Sequence, residues 1–322
     1  MNELDIKQIY GKRIEPNHST QEFSVYTTKQ TTGSGTVYNY ELYDGISLFV
    51  MDFFVDQIDY SNTNQTYPND FICINHCEKG RFEAEFSNGQ CVYLGETDIS
   101  MNLPENSPVN HSFPMNRFLG SILIIDTPKA IHSMKELANH YGTIPIDILS
   151  LKERLQKGNE FSVYRNNQQL SALFTHFYEE HPNLFLMKIK VLELLYYITN
   201  YNEKQAVTYR YFNKLQVQKV KSIKELLTTN IEKRYTLTDL SKEYEISLTS
   251  LKECFKEVYG NSISAYVREY RMMYAAKLLR STDLTVGEIS DQIGYENQSK
   301  FAEMFKQTIG MPPIEYRNKK FD

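Results

Sequence analysis

Thr249, Ser250, Lys252 and Glu253 crowd together between apolar residues at helical spacing, Leu248, Leu251, Phe255 and Val258. Such a set suits the reading of base edges in a duplex groove. A threonine can meet a thymine methyl, a lysine can donate to guanine O6 and N7, and a glutamate can accept from cytosine N4. About 50 residues further on, Asn297, Gln298, Ser299 and Glu303 form a second set of the same character. There Gln298 can pair bidentately with adenine. Lys256, Lys300, Lys306 and Arg317 supply positive charge for phosphates. The competing reading of all these residues is a solvated helix face, so the elements that carry them must decide. Arg271 invites a different role, an internal ion pair with a carboxylate.

Metal chemistry is the other temptation. Cys73, His76 and Cys77 lie close together, with Cys91 and His111 downstream. On a strand, Cys73 and Cys77 share a face and His76 takes the other. Zinc needs four converging ligands, and the His-x-His pattern followed by Glu of metal-holding cupin barrels is absent. Interior cysteines are the better reading, with neither a metal nor another cofactor expected. Cys254 reads as packing. No nucleophile elbow, P-loop or GxGxxG occurs, and Gly33-Ser-Gly35 lacks the rest of a phosphate cradle. No catalytic residue emerges, so the expectation is that the chain is not an enzyme.

The elements that must position the polar sets are short and well punctuated. Thr236 can cap a helix over TLTDLSKEYEI, and Thr-x-x-Asp resembles a capping box. Ser247 can cap SLTSLKECFKEVYG, with Gly260 as its stop. So short a gap forces the two helices to cross sharply, the shape of a helix-turn-helix. A long helix, ISAYVREYRMMYAAKLLRS, follows, and then the unit repeats as LTVGEISDQIGY and NQSKFAEMFKQTIG. Leu240 corresponds to Ile289, Ser241 to Ser290, Ile246 to Tyr295, Phe255 to Phe305 and Gly260 to Gly310. Leu248, Leu251, Phe255 and Val258 are the expected buried stripe of the first recognition helix, and Phe301, Met304 and Phe305 that of the second. Two reading heads on one strut are therefore expected to enter successive major grooves.

Ahead of this tail the texture differs. From Glu22 to about Asp126, short β-like runs such as ISLFVMDFFV, DFICINHC and RFLGSILIID alternate with turn signals. Residues 1–20 read as a loose lead-in. From Pro128 the spacing turns helical in KAIHSMKELANHYG, DILSLKERLQ, QLSALFTHFYEEH and LFLMKIKVLELLYYITNY. In the last, Leu184, Met187, Val191, Leu194, Leu195 and Ile198 make a wide stripe suited to the barrel surface or to a second copy. The expected fold class is α+β, with a strand-rich barrel or sandwich over 22–126, helices over 128–200, a linker at 201–216 and an all-α region with two helix-turn-helix units at 217–322.

Of the 322 residues, 41% are hydrophobic and 23% charged, enough for real cores. No apolar run approaches the ~20 residues that span a bilayer, the polar start lacks a signal-peptide core, and four cysteines make no disulfide framework. A cytoplasmic protein is expected. The net charge of -5 is uneven: 217–322 holds 17 Lys and Arg against 15 Asp and Glu, leaving -7 on the rest. Only the tail suits phosphates.

The tail resembles the DNA-binding domain of the AraC/XylS family of bacterial transcription regulators. The resemblance rests on Gly260-Asn-Ser-Ile-Ser-Ala-Tyr266, Arg271, Ala275-Ala-Lys-Leu-Leu279, Val286-x-Glu-Ile289, Ile293-Gly-Tyr295, Phe301-x-x-x-Phe-Lys306 and Gly310-Met-Pro-Pro313 with Tyr316-Arg317. It covers about a third of the chain. Leu251-Lys-Glu-Cys-Phe255, Val258-Tyr-Gly260, Tyr270-Arg-Met272 and Leu192-Glu-Leu-Leu195 are similar to the branch containing pyochelin-type siderophore regulators. Family members often carry Arg where Glu253 and Glu303 stand, which alters the expected reading code and not the fold.

The resemblance implies that the front is a cupin-like β-barrel over about 22–126, and that the chain is a transcription regulator that binds double-stranded DNA through its tail, with a small-molecule effector in the barrel and homodimerisation through the middle helices. RNA polymerase is a further candidate partner. The effector contacts are unknown from sequence, although 24 tyrosines and 18 phenylalanines could line a pocket. The alternatives are a cupin-type enzyme or metal-binding protein with a DNA-binding appendage, or a regulator that needs no ligand.

Overall fold

The computed structural model describes residues 14–20, 22–30, 33–55, 70–157, 161–165, 168–179, 182–200 and 212–319. The chain divides into two compact units, Met1–Tyr211 and Phe212–Asp322.

The first unit is built on antiparallel strands: β1 (Ile14–Ser19), β2 (Phe23–Gln30), β3 (Gly33–Tyr43), β4 (Ile46–Phe54), β5 (Phe71–Gly80), β6 (Phe82–Glu85), β7 (Gln90–Leu94), β8 (Ile99–Asn102), β9 (Asn110–Ser112), β10 (Phe118–Asp126) and β11 (Phe161–Tyr164). An eight-stranded sheet runs β1-β2-β3-β4-β10-β5-β8-β11, and a second sheet holds β7-β6-β9. Among the described residues the end strands β1 and β11 do not pair with each other. The helices are α1 (Thr127–Tyr141), α2 (Ile148–Lys157), α3 (Gln168–Ser171) and α4 (Leu184–Asn200), with a 3-10 segment at Ala172–Tyr178.

The central strands are apolar on both faces because both faces are covered. Leu48, Val50, Ile72, Ile74, Leu123 and Ile125 pack with the helices. Their sequence neighbours Phe49, Met51, Phe71, Cys73 and Ile124 pack with Ala84, Val92, Leu94 and Phe113 around the second sheet. The period-two alternation thus builds two cores from one sheet. Many aromatic residues are ordinary core: Phe53 and Phe113 meet at a tilt of 57° with ring centroids 5.3 Å apart, and Phe113 and Phe118 stack at 5.0 Å.

Three local expectations need correction. Part of the supposed lead-in is β1, which pairs with β2. The span expected to hold helices over 128–200 also contains β11, which pairs with β8, because partners distant in sequence set its structure. The run after α3 tightens into the 3-10 segment, where His76 reaches it: Nε2 meets Ser171 Oγ and Nδ1 meets Tyr178 OH, both at 2.8 Å. The ring stacks on Phe174 at 4.4 Å, and Tyr178 OH also meets Ser121 Oγ at 2.8 Å. Burial holds the His76 imidazole down to a pKa of about 3, neutral in the folded state.

The apolar stripe of α4 is also spent at home. Met187, Val191, Leu194, Leu195 and Ile198 are fully buried and Leu184 packs against the same core. The exposed apolar face is the opposite one, with Phe185, Ile189 and Tyr196 facing solvent and Leu192 half-buried.

Apart from a two-residue strand at Phe212–Asn213, the second unit is helical: α5 (Lys214–Thr229), α6 (Leu237–Glu243), α7 (Leu248–Tyr259), α8 (Ile263–Ser281), α9 (Val286–Gln292), α10 (Gln298–Ile309) and α11 (Pro313–Asn318). Residues 201–211 of the expected linker lie outside the described residues. Helix α5 starts within the remainder, on a capping box between Asn213 and Gln216. No helix among the described residues is long and apolar enough to cross a membrane.

Candidate nucleic-acid interface

The duplication in the second unit extends to individual bonds. Thr236 Oγ1 accepts from the Asp239 amide at 3.1 Å to start α6, and Thr285 Oγ1 accepts from the Glu288 amide at 3.2 Å to start α9. The turns are tied alike, Ser241 Oγ donating to the Ile246 carbonyl at 2.6 Å and Ser290 Oγ to the Tyr295 carbonyl at 3.3 Å. Helices α7 and α10 both end on a left-handed glycine, Gly260 at φ 80° and Gly310 at φ 90°. Phe255 meets Tyr266 edge-on at 5.6 Å, and Phe305 meets Tyr316 edge-on at 5.6 Å.

Two helix-turn-helix units are therefore present, joined by the 19-residue α8. They also touch directly. A Cβ built on Gly294, at φ 79°, would lie 2.4 Å from the Glu232 carbonyl oxygen. The turn of the second unit is thus pressed against the approach to the first, where sequence alone suggested separate heads on a strut.

Arginine reinforces both approaches. Arg271 donates from Nε to the Ile231 carbonyl at 2.8 Å and from a terminal nitrogen to the Lys233 carbonyl at 2.9 Å. Arg317 ties the last turn of α8 to the loop before α9, donating to the Leu279 and Leu284 carbonyls. The expected carboxylate partner of Arg271 is replaced by backbone oxygens. Arg317 was expected on phosphate and is instead turned inward. A rigid planar fork of donors suits two carbonyls at once, and sequence gives no sign of such a long-range bond.

On α7, Leu251, Phe255 and Val258 are buried as expected, together with Cys254. Leu248 is not, at 40% exposed. As the first residue after the Ser247 cap, it precedes the turn that rests on the core. Thr249, Lys252 and Lys256 are exposed, while Ser250 is half-buried. Glu253 is half-buried too, with one carboxylate oxygen enclosed, so it does not stand outward as expected. On α10, Phe301 and Phe305 are buried and Met304 packs at the edge of their cluster. Gln298, Ser299, Lys300, Glu303 and Lys306 are exposed. Asn297 is exposed, yet its side-chain oxygen is the N-cap of α10, accepting from the Lys300 amide at 3.0 Å. Glu303 accepts from Gln307 at 3.4 Å along the helix.

Helices α7 and α10 thus offer matching polar faces, with Lys252 and Lys256 one turn apart on the first. The spacing did not single out Lys233, Arg234 and Arg268, which add three exposed cations to this unit. Lys233 and Arg234 just precede the Thr236 cap, whereas Arg268 lies within α8. In the first unit, Cys73 and Cys77 share one core and His76 lies in the other network, as strand alternation requires. Burial pushes the Cys73 thiol up to about 12. No group of three or more potential metal ligands converges among the described residues.

Residues 240–319 match the family model of a helix-turn-helix domain. The HTH-type transcriptional regulator ExsA of Pseudomonas aeruginosa is 29% identical over 151 residues, 47% of this chain and 52% of that protein. The HTH-type transcriptional activator RhaR of Mannheimia succiniciproducens is 25% identical over 178 residues, 52% of this chain and 63% of its own. The chain thus spans about half to two-thirds of the length of these relatives. Among solved structures, the C-terminal domain of AraT, a response regulator from Geobacillus stearothermophilus, is 28% identical. It covers 32% of this chain and 87% of its own, with a TM-score of 0.31. ToxT from Vibrio cholerae O395 is 16% identical and covers 85% of this chain and 97% of its own, with a TM-score of 0.29. Scores this low add no weight to the bonds and burial described above.

Proposed function

We infer from the helix-turn-helix domain at residues 240–319 and from the resemblance of the tail to AraC-type DNA-binding domains that this chain is a regulator of transcription that binds specific double-stranded DNA. The observation that carries the reading is the duplicated unit, bond for bond, with an exposed polar face on each second helix. Thr249, Lys252, Gln298, Ser299 and Glu303 are the base readers, with the outer edge of Ser250 beside them. Lys256, Lys300 and Lys306 hold phosphate. Glu253, Asn297 and Arg317 serve the fold first: an enclosed carboxylate, a cap and a loop clasp.

Footprinting of the full chain on the promoters beside its own gene is expected to protect about two helical turns, with affinity falling as salt rises. Lys252→Ala and Gln298→Ala should each relax preference at particular base pairs by roughly 1–3 kcal/mol. Lys306→Ala should weaken all sequences alike. Identical behaviour of the three variants would overturn the division into readers and holders.

The finer reading is control by a small effector in the first unit and assembly as a homodimer. Polar groups held inside the strand unit favour the effector: Glu83 is buried, accepting from Tyr93 OH and, at 2.7 Å, from Ser112 Oγ. An apolar interior with few polar groups is what a small ligand needs. Calorimetry against siderophores and sugars is expected to give saturable binding without turnover. The dimer face is the exposed side of α4.

A further inference from the structure

Within the helical unit, a cleft of about 520 Å³ opens between the approach to α6, the outer face of α7 and the start of α8, with Tyr295 closing one end. That size is within the range of small-molecule sites, ~300–1,000 Å³. Its floor is apolar, formed by Leu227, Leu237, Ile263 and Val267, and flanked by the Tyr235 and Tyr295 rings. Around it stand Lys233, Arg234, Lys252, Lys256 and Arg268. No carboxylate is among the described lining residues. Glu296 lies 3.7 Å from Arg234, and both are exposed. Arg271, at the back, is already committed to the Ile231 and Lys233 carbonyls.

Five cations around an apolar floor whose lining holds no carboxylate repel one another and leave dry surface against water, and the exposed Glu296 beside Arg234 offsets only one of them. A bare anion would relieve the first cost and not the second, and a neutral hydrophobe the reverse. We propose that this cleft binds an amphipathic organic anion, a carboxylate at the cationic rim carrying an aryl or alkyl tail that covers the floor. The occupant competes with DNA, because Lys252 and Lys256 serve both. That competition rests on the DNA reading given above, whereas the site itself does not.

The chain has no tryptophan, so Tyr295→Trp in the full-length protein creates a single reporter at the cleft. Tyr235→Trp is a second reporter should the first disturb folding, which circular dichroism and the melting midpoint will register. The probe is 4-phenylbutanoate, with 4-phenyl-1-butanol as the tail alone and acetate as the head alone. The expected result is a saturable blue shift with 4-phenylbutanoate and none with either control. In a Lys233→Gln/Arg268→Gln background that binding should weaken about tenfold or more, the loss of charge-assisted contacts. No saturable shift, an equal shift with the alcohol, or unchanged binding in the double variant would overturn the site. A parallel titration follows a fluorescent duplex carrying the footprinted sequence. Displacement by 4-phenylbutanoate supports shared use of Lys252 and Lys256. Binding at the cleft with DNA undisturbed keeps the site and overturns the competition. Failure of the duplex to bind at all counts against the DNA reading alone.

Discussion

Glu245 and Gly294 hold the same left-handed backbone, at φ 48° and φ 79°, at the same point of the two helix-turn-helix turns. Each lies between a serine and the carbonyl that this serine ties down, Ser241 to Ile246 and Ser290 to Tyr295. The turn demands that conformation, so one copy meets it with glycine and the other pays steric strain. The Glu245 carbonyl is further held by Lys219 Nζ at 2.8 Å.

Glu245→Gly should therefore stabilise the helical unit, by roughly 0.5–1 kcal/mol after the added freedom of the unfolded chain is counted. Gly294→Ala should do the opposite and cost more, since it adds a 2.4 Å clash with the Glu232 carbonyl to the strain. Denaturant midpoints measure both, and two changes of equal sign would contradict the account.

Arg317→Ala is expected to lower stability by about 2 kcal/mol, because one carbonyl in the last turn of α8 and one in the loop before α9 lose a charged donor. Its salt dependence on DNA should match the wild type. Lys306→Ala should show the reverse, near-normal stability and a salt slope shallower by about one phosphate. A shallower slope for Arg317→Ala would return that residue to the phosphate contacts. Arg271→Ala should resemble Arg317→Ala.

Ile189→Glu and Tyr196→Glu alter the solvent side of α4, where both residues are exposed. They should leave the melting midpoint nearly unchanged and yield a monomer that binds its operator more weakly, having lost the gain in effective concentration. Leu194→Glu buries a charge in the unit's own core and should unfold it. A wild-type chain that sediments as a monomer at high concentration would defeat the dimer.

The first unit should lose stability in mild acid. His76 is neutral when folded because burial lowers its pKa from 6.5 to about 3. The unfolded chain takes up the proton first, so stability is full above pH 6.5 and declines as pH falls toward 3, by about 1.4 kcal/mol per pH unit. His76→Gln should be less stable at pH 7, with a flatter dependence below it. A slope unchanged in that variant would assign the effect to another group.

The helical tail was legible because its signals are local. Thr236, Ser247, Thr285 and the stops Gly260 and Gly310 act within a turn of themselves, and the repeat showed which positions correspond. What escaped depends on partners distant in sequence. Nothing near Arg317 announces the Leu284 carbonyl, and nothing near Phe161 announces β8. The α4 stripe was read correctly as a packing surface, but its two possible partners share one chemistry, and only the folded chain shows that its own sheet takes it. Glu253 failed for a subtler reason: at the edge of a helix face, a small rotation decides between solvent and neighbour.

On the DNA reading proposed above, the contact of Gly294 with Glu232 also constrains the operator. Helix α8 alone would let the two heads flex and twist about their link. With the turn of one resting on the entrance to the other, the pair behaves as a single bivalent reader of fixed phase. Once the first head is seated, the second finds its groove with little further loss of freedom, provided that the groove is where the brace holds it. Inserting one base pair between the half-sites moves the second groove along and around the duplex together. Affinity should then fall in one step to that of a single head, without the gradual decline that a jointed pair would show.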